Sequence, residues 1–165
     1  NSIPHVVVGG ERVSSSRVRA LVAAGDVEQA AQLLGRPVLI EGAVVTGVQR
    51  GRTLGFATAN LAPSASLLLP ANGIYAVYAE LDGNKLPAVA NIGVRPTFGH
   101  NARLVEVHIL DFDRSIYGAH LRVHLVKRLR DELRFSSVDA LVAQMHRDVA
   151  AARSVLAPDN AAARG

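Results

Sequence analysis

Apolar positions recur along this chain with two different periods. Near the N-terminus the short run Val6–Val8 ends at Gly9-Gly10, and Ser14-Ser15-Ser16 then leads into the alanine-rich stretch Arg17–Ala24, stopped by Gly25. Serine before such a stretch and glycine after it predict a short helix. A second helix follows, with Asp26 as its cap, Gln29 three residues on as the reciprocal partner, and Gly35 closing it before Pro37. From Pro37 the texture is that of strands. Val38–Val48 is rich in β-branched residues, Gly51–Leu61 is a glycine-punctuated loop leading into a strand, and Asn72-Gly73 signals a turn before a strand at Ile74–Leu81. Asp82-Gly83-Asn84 predicts a hairpin connection to Leu86–Ile92, and Val94–Asn101, with its proline and glycine, reads as a loop.

Two later segments alternate strictly. Val105, Val107 and Ile109 share one face while Leu104, Glu106, His108 and Leu110 share the other; Leu121, Val123 and Leu125 oppose His120, Arg122 and His124. Short strands at this spacing with no helix between them predict an antiparallel barrel or sandwich, not a βαβ sheet. In the tail, Val138, Leu141, Val142, Met145, Val149 and Ala152 follow helical spacing, with Ser136 as the expected N-cap and a frayed end beyond Pro158.

The 165 residues allow one compact domain with a small appendage, and 49% hydrophobic residues are enough for a core. The absence of cysteine excludes a disulfide scaffold, a zinc ribbon and a cysteine nucleophile; a reducing compartment, the cytoplasm, is expected. Of 18 basic residues sixteen are arginine, the side chain suited to forked pairing with phosphate or carboxylate, and the net charge of +4 favours anionic ligands. A nucleic-acid partner is not expected, because aromatics are few and the arginines are dispersed. A membrane partner is not expected either, since no apolar run is long enough to span one.

The chain carries no Walker-type loop, no dinucleotide-binding glycine fingerprint, no protein-kinase triplet and no nucleophile elbow. His120 and His124 have the spacing of a helical zinc pair, but a period-two segment holds them about 13 Å apart, so they are read as surface residues. The loop from Gly47 to Asn60 offers more. Its glycines let backbone amides approach a phosphate, Arg50 and Arg52 add positive charge, and Thr58 and Asn60, two apart, present hard oxygens suited to Mg²⁺. A plain glycine-rich barrel turn accounts for the same spacing. Glu106 fits either a wet strand face or a general base.

At these residues Gly51-Arg-Thr-Leu-Gly-Phe-Ala-Thr-Ala-Asn60-Leu61 resembles the riboflavin kinase loop Gly-x-x-Leu-Gly-x-Pro-Thr-Ala-Asn. Further blocks agree in the same order: Gly73–Tyr75, Asn91–Gly99, Val105–Phe112, Ile116–Gly118 and Arg128–Phe135. Residues 1–35 resemble the last segment of the adenylyltransferase module that precedes this kinase in bacterial bifunctional FAD synthetases. The resemblance implies a mainly β fold, a six-stranded antiparallel, Greek-key-like barrel over 36–157 with a C-terminal α-helix, preceded by a short helical hairpin, with 158–165 a frayed tail. It implies transfer of the ATP γ-phosphoryl group to the 5′-hydroxyl of riboflavin, giving FMN and ADP. By position Glu106 would be the base, and Thr58 and Asn60 would hold Mg²⁺. Gly47, Gly51 and Arg52 would border the ATP phosphates with Thr58 and Asn60, while Arg130 and Phe135 would meet the flavin.

Two departures stand out. Ala57 replaces the family proline, which removes a pre-set backbone angle and is expected to weaken ATP binding. Most of the adenylyltransferase module has no counterpart, so FMN adenylyltransferase activity is not expected of this chain, that module being a partner in the full-length enzyme. A flavin-binding barrel with weak turnover is the alternative.

Overall fold

The computed structural model describes residues 6–8, 11–13, 15–45, 54–63, 68–97 and 100–157. Strands β1 (Val6–Val8) and β2 (Glu11–Val13) pair as a separate antiparallel ribbon. Helices α1 (Ser15–Ala24) and α2 (Val27–Leu34) follow, and then six strands: β3 (Val38–Val45), β4 (Ala59–Pro63), β5 (Gly73–Leu81), β6 (Asn84–Thr97), β7 (His100–Ile109) and β8 (His120–Arg130). They close into an antiparallel barrel in the order β3-β4-β7-β6-β5-β8. Strands β5, β6 and β7 are joined by hairpins and β8 returns beside β5, which is a Greek key. Helix α3 (Val138–Val155) packs on the outside, against β5, β6 and β8.

The period-two pattern sets inside from outside. Leu61, Tyr75, Val77, Ile92, Val105, Val107, Val123 and Leu125 point inward and are fully buried, so their sequence neighbours Asn60, Asn91 and Glu106 on β4, β6 and β7 face outward. The β5–β6 connection is a two-residue turn, Asp82-Gly83, with both φ positive (52° and 81°), the type I′ geometry that matches strand twist.

The helical hairpin forms where expected, and its centre carries two caps at once. Gly25, at φ 85°, lets its own N–H reach the Val22 carbonyl and the Asp26 N–H reach the Leu21 carbonyl, a Schellman closure of α1. Asp26 Oδ1 then accepts from the Gln29 N–H to start α2. The Asp26 N–H is therefore already engaged, and no reciprocal bond from the Gln29 side chain forms a capping box there. Val22, Val27 and Ala30 join the core cluster of the barrel itself. At the contact, a Cβ on Gly25 would meet Arg128 Cδ at 2.9 Å and the Tyr75 hydroxyl at 3.1 Å. Burial pushes the Tyr75 phenol above its ordinary pKa, and it donates to the Ala71 carbonyl at 2.5 Å.

Three boundaries differ from the sequence reading. The stretch read as a loop at Val94–Asn101 continues β6 to Thr97 and begins β7 at His100, the backbones pairing from Val94↔Arg103 to Thr97↔His100. Proline is tolerated in a hairpin arm where its missing N–H is not needed by the ladder. Gly73 opens β5, pairing with Ile92, instead of lying in a turn. The N-cap of α3 is Ser137, not Ser136. Ser137 has the extended backbone of a cap (φ −149°, ψ 160°), and its hydroxyl accepts from the Ala140 N–H while its carbonyl accepts from Leu141. The tail beyond Ala157 and the residues after Val45 up to Thr53 lie outside the described residues.

Helix α3 is tied down along its length. Tyr78 donates to the Leu156 carbonyl at its C-terminus, Arg153 makes a two-pronged pair with Asp111, and Arg130 makes another with Asp148. Two outcomes follow from these contacts. Gly25→Ala should cost about 2 kcal/mol or more, combining a left-handed backbone penalty with the clash, and Gly35→Ala, at φ 72° with nothing within 4 Å, about 1 kcal/mol; urea denaturation compares them. The hydrogen bonds from Arg153 hold the Asp111 carboxyl below its usual pKa. The stability this gives is present above the unfolded value of about 3.9 and fades as pH falls through the lowered folded value. Arg153→Gln should therefore shrink the difference between urea midpoints at pH 6 and pH 3.

Candidate active site

The register links one residue from each barrel strand in a continuous row that climbs around the barrel from the end of β3 to the end of β8. Val45 pairs with Asn60, Asn60 with Glu106, Glu106 with Asn91, Asn91 with Ile74, and Ile74 with Arg130. Directly paired residues share a face with their Cβ atoms about 4.5–5.5 Å apart, so this row lies on the outer wall. Irregularities in the β5–β8 pairing between Ile74 and Val77 turn Arg128 toward Tyr75 and return Arg130 to the outside level. Glu106 is thus outward-facing, as its alternation indicates, but it does not face bulk water. Helix α3 and residues 130–135 stand over the wall and enclose a cavity of about 260 Å³.

Its barrel side is formed by Leu54, Phe56, Thr58, Ile74, Val89, Asn91, Glu106 and His108. The far side is formed by Arg130, Glu132, Leu133 and Phe135 with Leu141, Met145, Asp148 and Val149 of α3. Thr58, Glu106, Arg130 and Phe135, all singled out from the sequence, therefore border one space. Asn60 is only 9% exposed and lies beside it, as the cross-strand partner of Glu106. Gly47, Gly51 and Arg52 lie outside the described residues.

The segment carrying Thr58 is held without the family proline. The Phe56 ring is buried edge-on against two imidazoles, those of His108 (5.4 Å) and His146 of α3 (5.0 Å). His108 Nδ1 is 2.8 Å from the Ala57 carbonyl oxygen, the residue standing in the proline position, which makes it the donor there. These contacts supply from outside the restraint that a proline ring would supply from within.

On the far side the Arg130 fork is engaged by Asp148, at 2.8 and 2.7 Å, with Gln144 Nε2 also donating to Asp148 at 2.9 Å. The side chains are 18% and 9% exposed, so this bidentate pair is largely withdrawn from water and keeps its geometry. The guanidinium also lies 6.0 Å from the centre of the Phe135 ring. Glu132 rests on β6 at Gly93, where a Cβ would meet its carboxylate and push that side chain aside.

Sequence reasoning missed Asn91, Phe56, His108, Glu132 and Asp148 as members of this site. Signals existed for two of them. His108 shares the Glu106 face by alternation, and Asp148 interrupts the apolar spacing Leu141, Met145, Ala152 on α3.

For a metal, no three His, Cys, Asp or Glu side chains cluster suitably among the described residues. His120 and His124 instead pair with Glu41 and Glu80 on the outer surface of β8. What the cavity region offers is a hydroxyl at Thr58 and a carboxamide at Asn60, neutral hard donors. That set suits a Mg²⁺ ion that keeps several waters and takes its remaining ligands from substrate phosphates. No described helix is long and apolar enough to cross a membrane.

Comparison with known proteins agrees with this geometry. Residues 34–156 match the family described as flavokinase, riboflavin kinase. The bifunctional riboflavin kinase/FMN adenylyltransferase of Escherichia coli K12 is 47% identical over 146 residues, 88% of this chain and 46% of that protein. Its counterpart from Pseudomonas fluorescens is 44% identical over 154 residues, 93% of this chain and 49% of that protein. The chain therefore spans about half the length of the curated relatives it matches. A crystal structure described as a macrolide-efflux protein from Streptococcus pneumoniae superposes with a TM-score of 0.85 at 39% identity, covering 92% of this chain and 50% of that one. Riboflavin kinase from Trypanosoma brucei, at 24% identity and a TM-score of 0.53, covers 75% of this chain and 83% of its own and shares the fold. With the matched family spanning the whole barrel and α3, the chain belongs to the riboflavin kinase family.

Proposed function

We propose that the cavity between barrel and α3 is where this chain phosphorylates riboflavin, with ATP as donor and FMN and ADP as products. The observation that carries the reading is the convergence of Thr58 and Glu106 on one cavity with Asn60 as the cross-strand partner of Glu106, although the pair and the glutamate come from strands far apart in sequence.

Phosphoryl transfer needs alignment and charge neutralisation more than covalent help. The Glu106 carboxylate takes the proton of the riboflavin 5′-hydroxyl as that oxygen bonds to the γ-phosphorus; the bond from the γ-phosphorus to the bridging oxygen breaks, and ADP leaves with its electron pair. Thr58 and Asn60 would hold Mg²⁺, which would supply neutralisation of the phosphate charge. Gly47, Gly51 and Arg52 border the phosphates. Phe135 stacks on the flavin and Arg130, steadied by Asp148, sets the edge of its pocket, while α3 and residues 130–135 exclude water from the transfer. Residues 1–35 are read as the end of an adenylyltransferase module and 36–157 as the kinase. The competing reading, a flavin-binding barrel with weak turnover, rests on Ala57; the contact of His108 with the Ala57 carbonyl, with Phe56 packed on His108, restrains the segment that carries Thr58 and supports the enzyme.

Incubation with riboflavin, ATP and Mg²⁺ should yield FMN, resolved by chromatography; riboflavin binding without FMN would favour the non-catalytic alternative. Glu106→Gln should lower kcat by about 10²–10⁴, the usual weight of a general base, with the KM for ATP little changed. A near wild-type rate in that variant would remove the base assignment.

A further inference from the structure

Among the described residues two buried side-chain atoms lack a hydrogen-bond partner, Asn91 Oδ1 and Arg128 Nε. Arg128 satisfies its other nitrogens through the Asn72 carbonyl and Asp131. Asn91 is different, because it borders the cavity and its unpartnered atom is an acceptor. A buried carbonyl-type oxygen without a donor has lost its hydration with nothing in return, and such atoms in native folds call for an explanation. Its cross-strand neighbours are Glu106 on β7 and Ile74 on β5. Ile74 offers no donor, and an ionised Glu106 offers only acceptors. Neither cross-strand neighbour supplies the donor, and the cavity that Asn91 borders is where a ligand would bring one.

We propose that Asn91 is a positioning residue for the acceptor substrate: its carboxamide oxygen accepts a hydrogen bond from the secondary hydroxyl next to the reacting primary hydroxyl, and so aims the latter at Glu106. The inference rests on the riboflavin kinase reading. Cross-strand partners with Cβ atoms about 5 Å apart can grip hydroxyls on adjacent carbons of one polyol chain. A site built this way prefers the polyol to an analogue lacking that hydroxyl, since the analogue leaves the acceptor unpaired.

The test compares riboflavin with its 4′-deoxy analogue on the wild-type chain, Asn91→Leu and Asn91→Ser, measuring kcat/KM for each flavin, KM for ATP and thermal midpoint. In the wild type the analogue should be poorer by about tenfold or more, the weight of one hydrogen bond. Asn91→Leu should lower kcat/KM for riboflavin by about the same factor, leave the analogue and the KM for ATP unchanged, and not lower the thermal midpoint, because an unpartnered acceptor has been removed. Asn91→Ser should recover part of the discrimination, and carries the test by itself if the leucine variant does not fold. Equal losses on both flavins, or no loss on riboflavin, overturn the proposal. Flavin fluorescence titrations with the same set separate the two readings. A wild-type chain that forms no FMN overturns the kinase reading, yet a binding preference for riboflavin that vanishes in Asn91→Leu still supports the Asn91 contact, and equal binding of both flavins overturns it.

Discussion

Backbone pairing among β4, β7 and β6 is the constraint on which the site depends. It sets Asn60, Glu106 and Asn91 side by side although they come from three strands. Side chains alternate with period two, so a slip of one residue in β7 would turn Glu106 into the apolar interior and send Val105 and Val107 outward. Folding and chemistry thus select the same register. The interior valines bind it hydrophobically, and barrel closure leaves no edge along which it could slide.

The second wall is electrostatic as well as apolar. Met145, Leu141 and Val149 of α3 face the cavity, and the Arg130–Asp148 pair joins the helix to the end of β8 across it. A buried ion pair of this kind contributes little net stability against apolar replacements, but losing one partner strands a charge. Its value here lies in geometry. The pair fixes where the helix sits relative to residues 130–135, and with Phe56 wedged between His108 and His146 it couples the helix to the Thr58 segment from the other side. Two anchors at opposite margins keep the gap between wall and helix from collapsing.

Much of this was legible in the sequence because it follows from local rules. Period-two alternation identified β7 and β8, Gly25, Asp26 and Gly35 marked the helical hairpin, and the order of family blocks implied a six-stranded barrel where periodicity alone left barrel and sandwich open. The failures are equally physical. Val94–Asn101 contains turn-forming residues that a long hairpin overrides through register. Ser136 and Ser137 are equivalent by type, and only backbone conformation distinguishes them. The reciprocal half of the Asp26 capping box was lost because α1 had already engaged that N–H. Asn91 could not be found by pattern, since its significance depends on which strands face it across the cavity.

The core shared by Val22, Val27 and Ala30 with the barrel has a bearing on how such enzymes can be dissected. Similarity to the family begins at residue 34, the last residue of α2. The packed unit begins earlier, because these side chains share the barrel's core and Gly25 sits against Arg128 and Tyr75. A cut at the similarity boundary would strip those side chains from the core and leave the surface they cover wet.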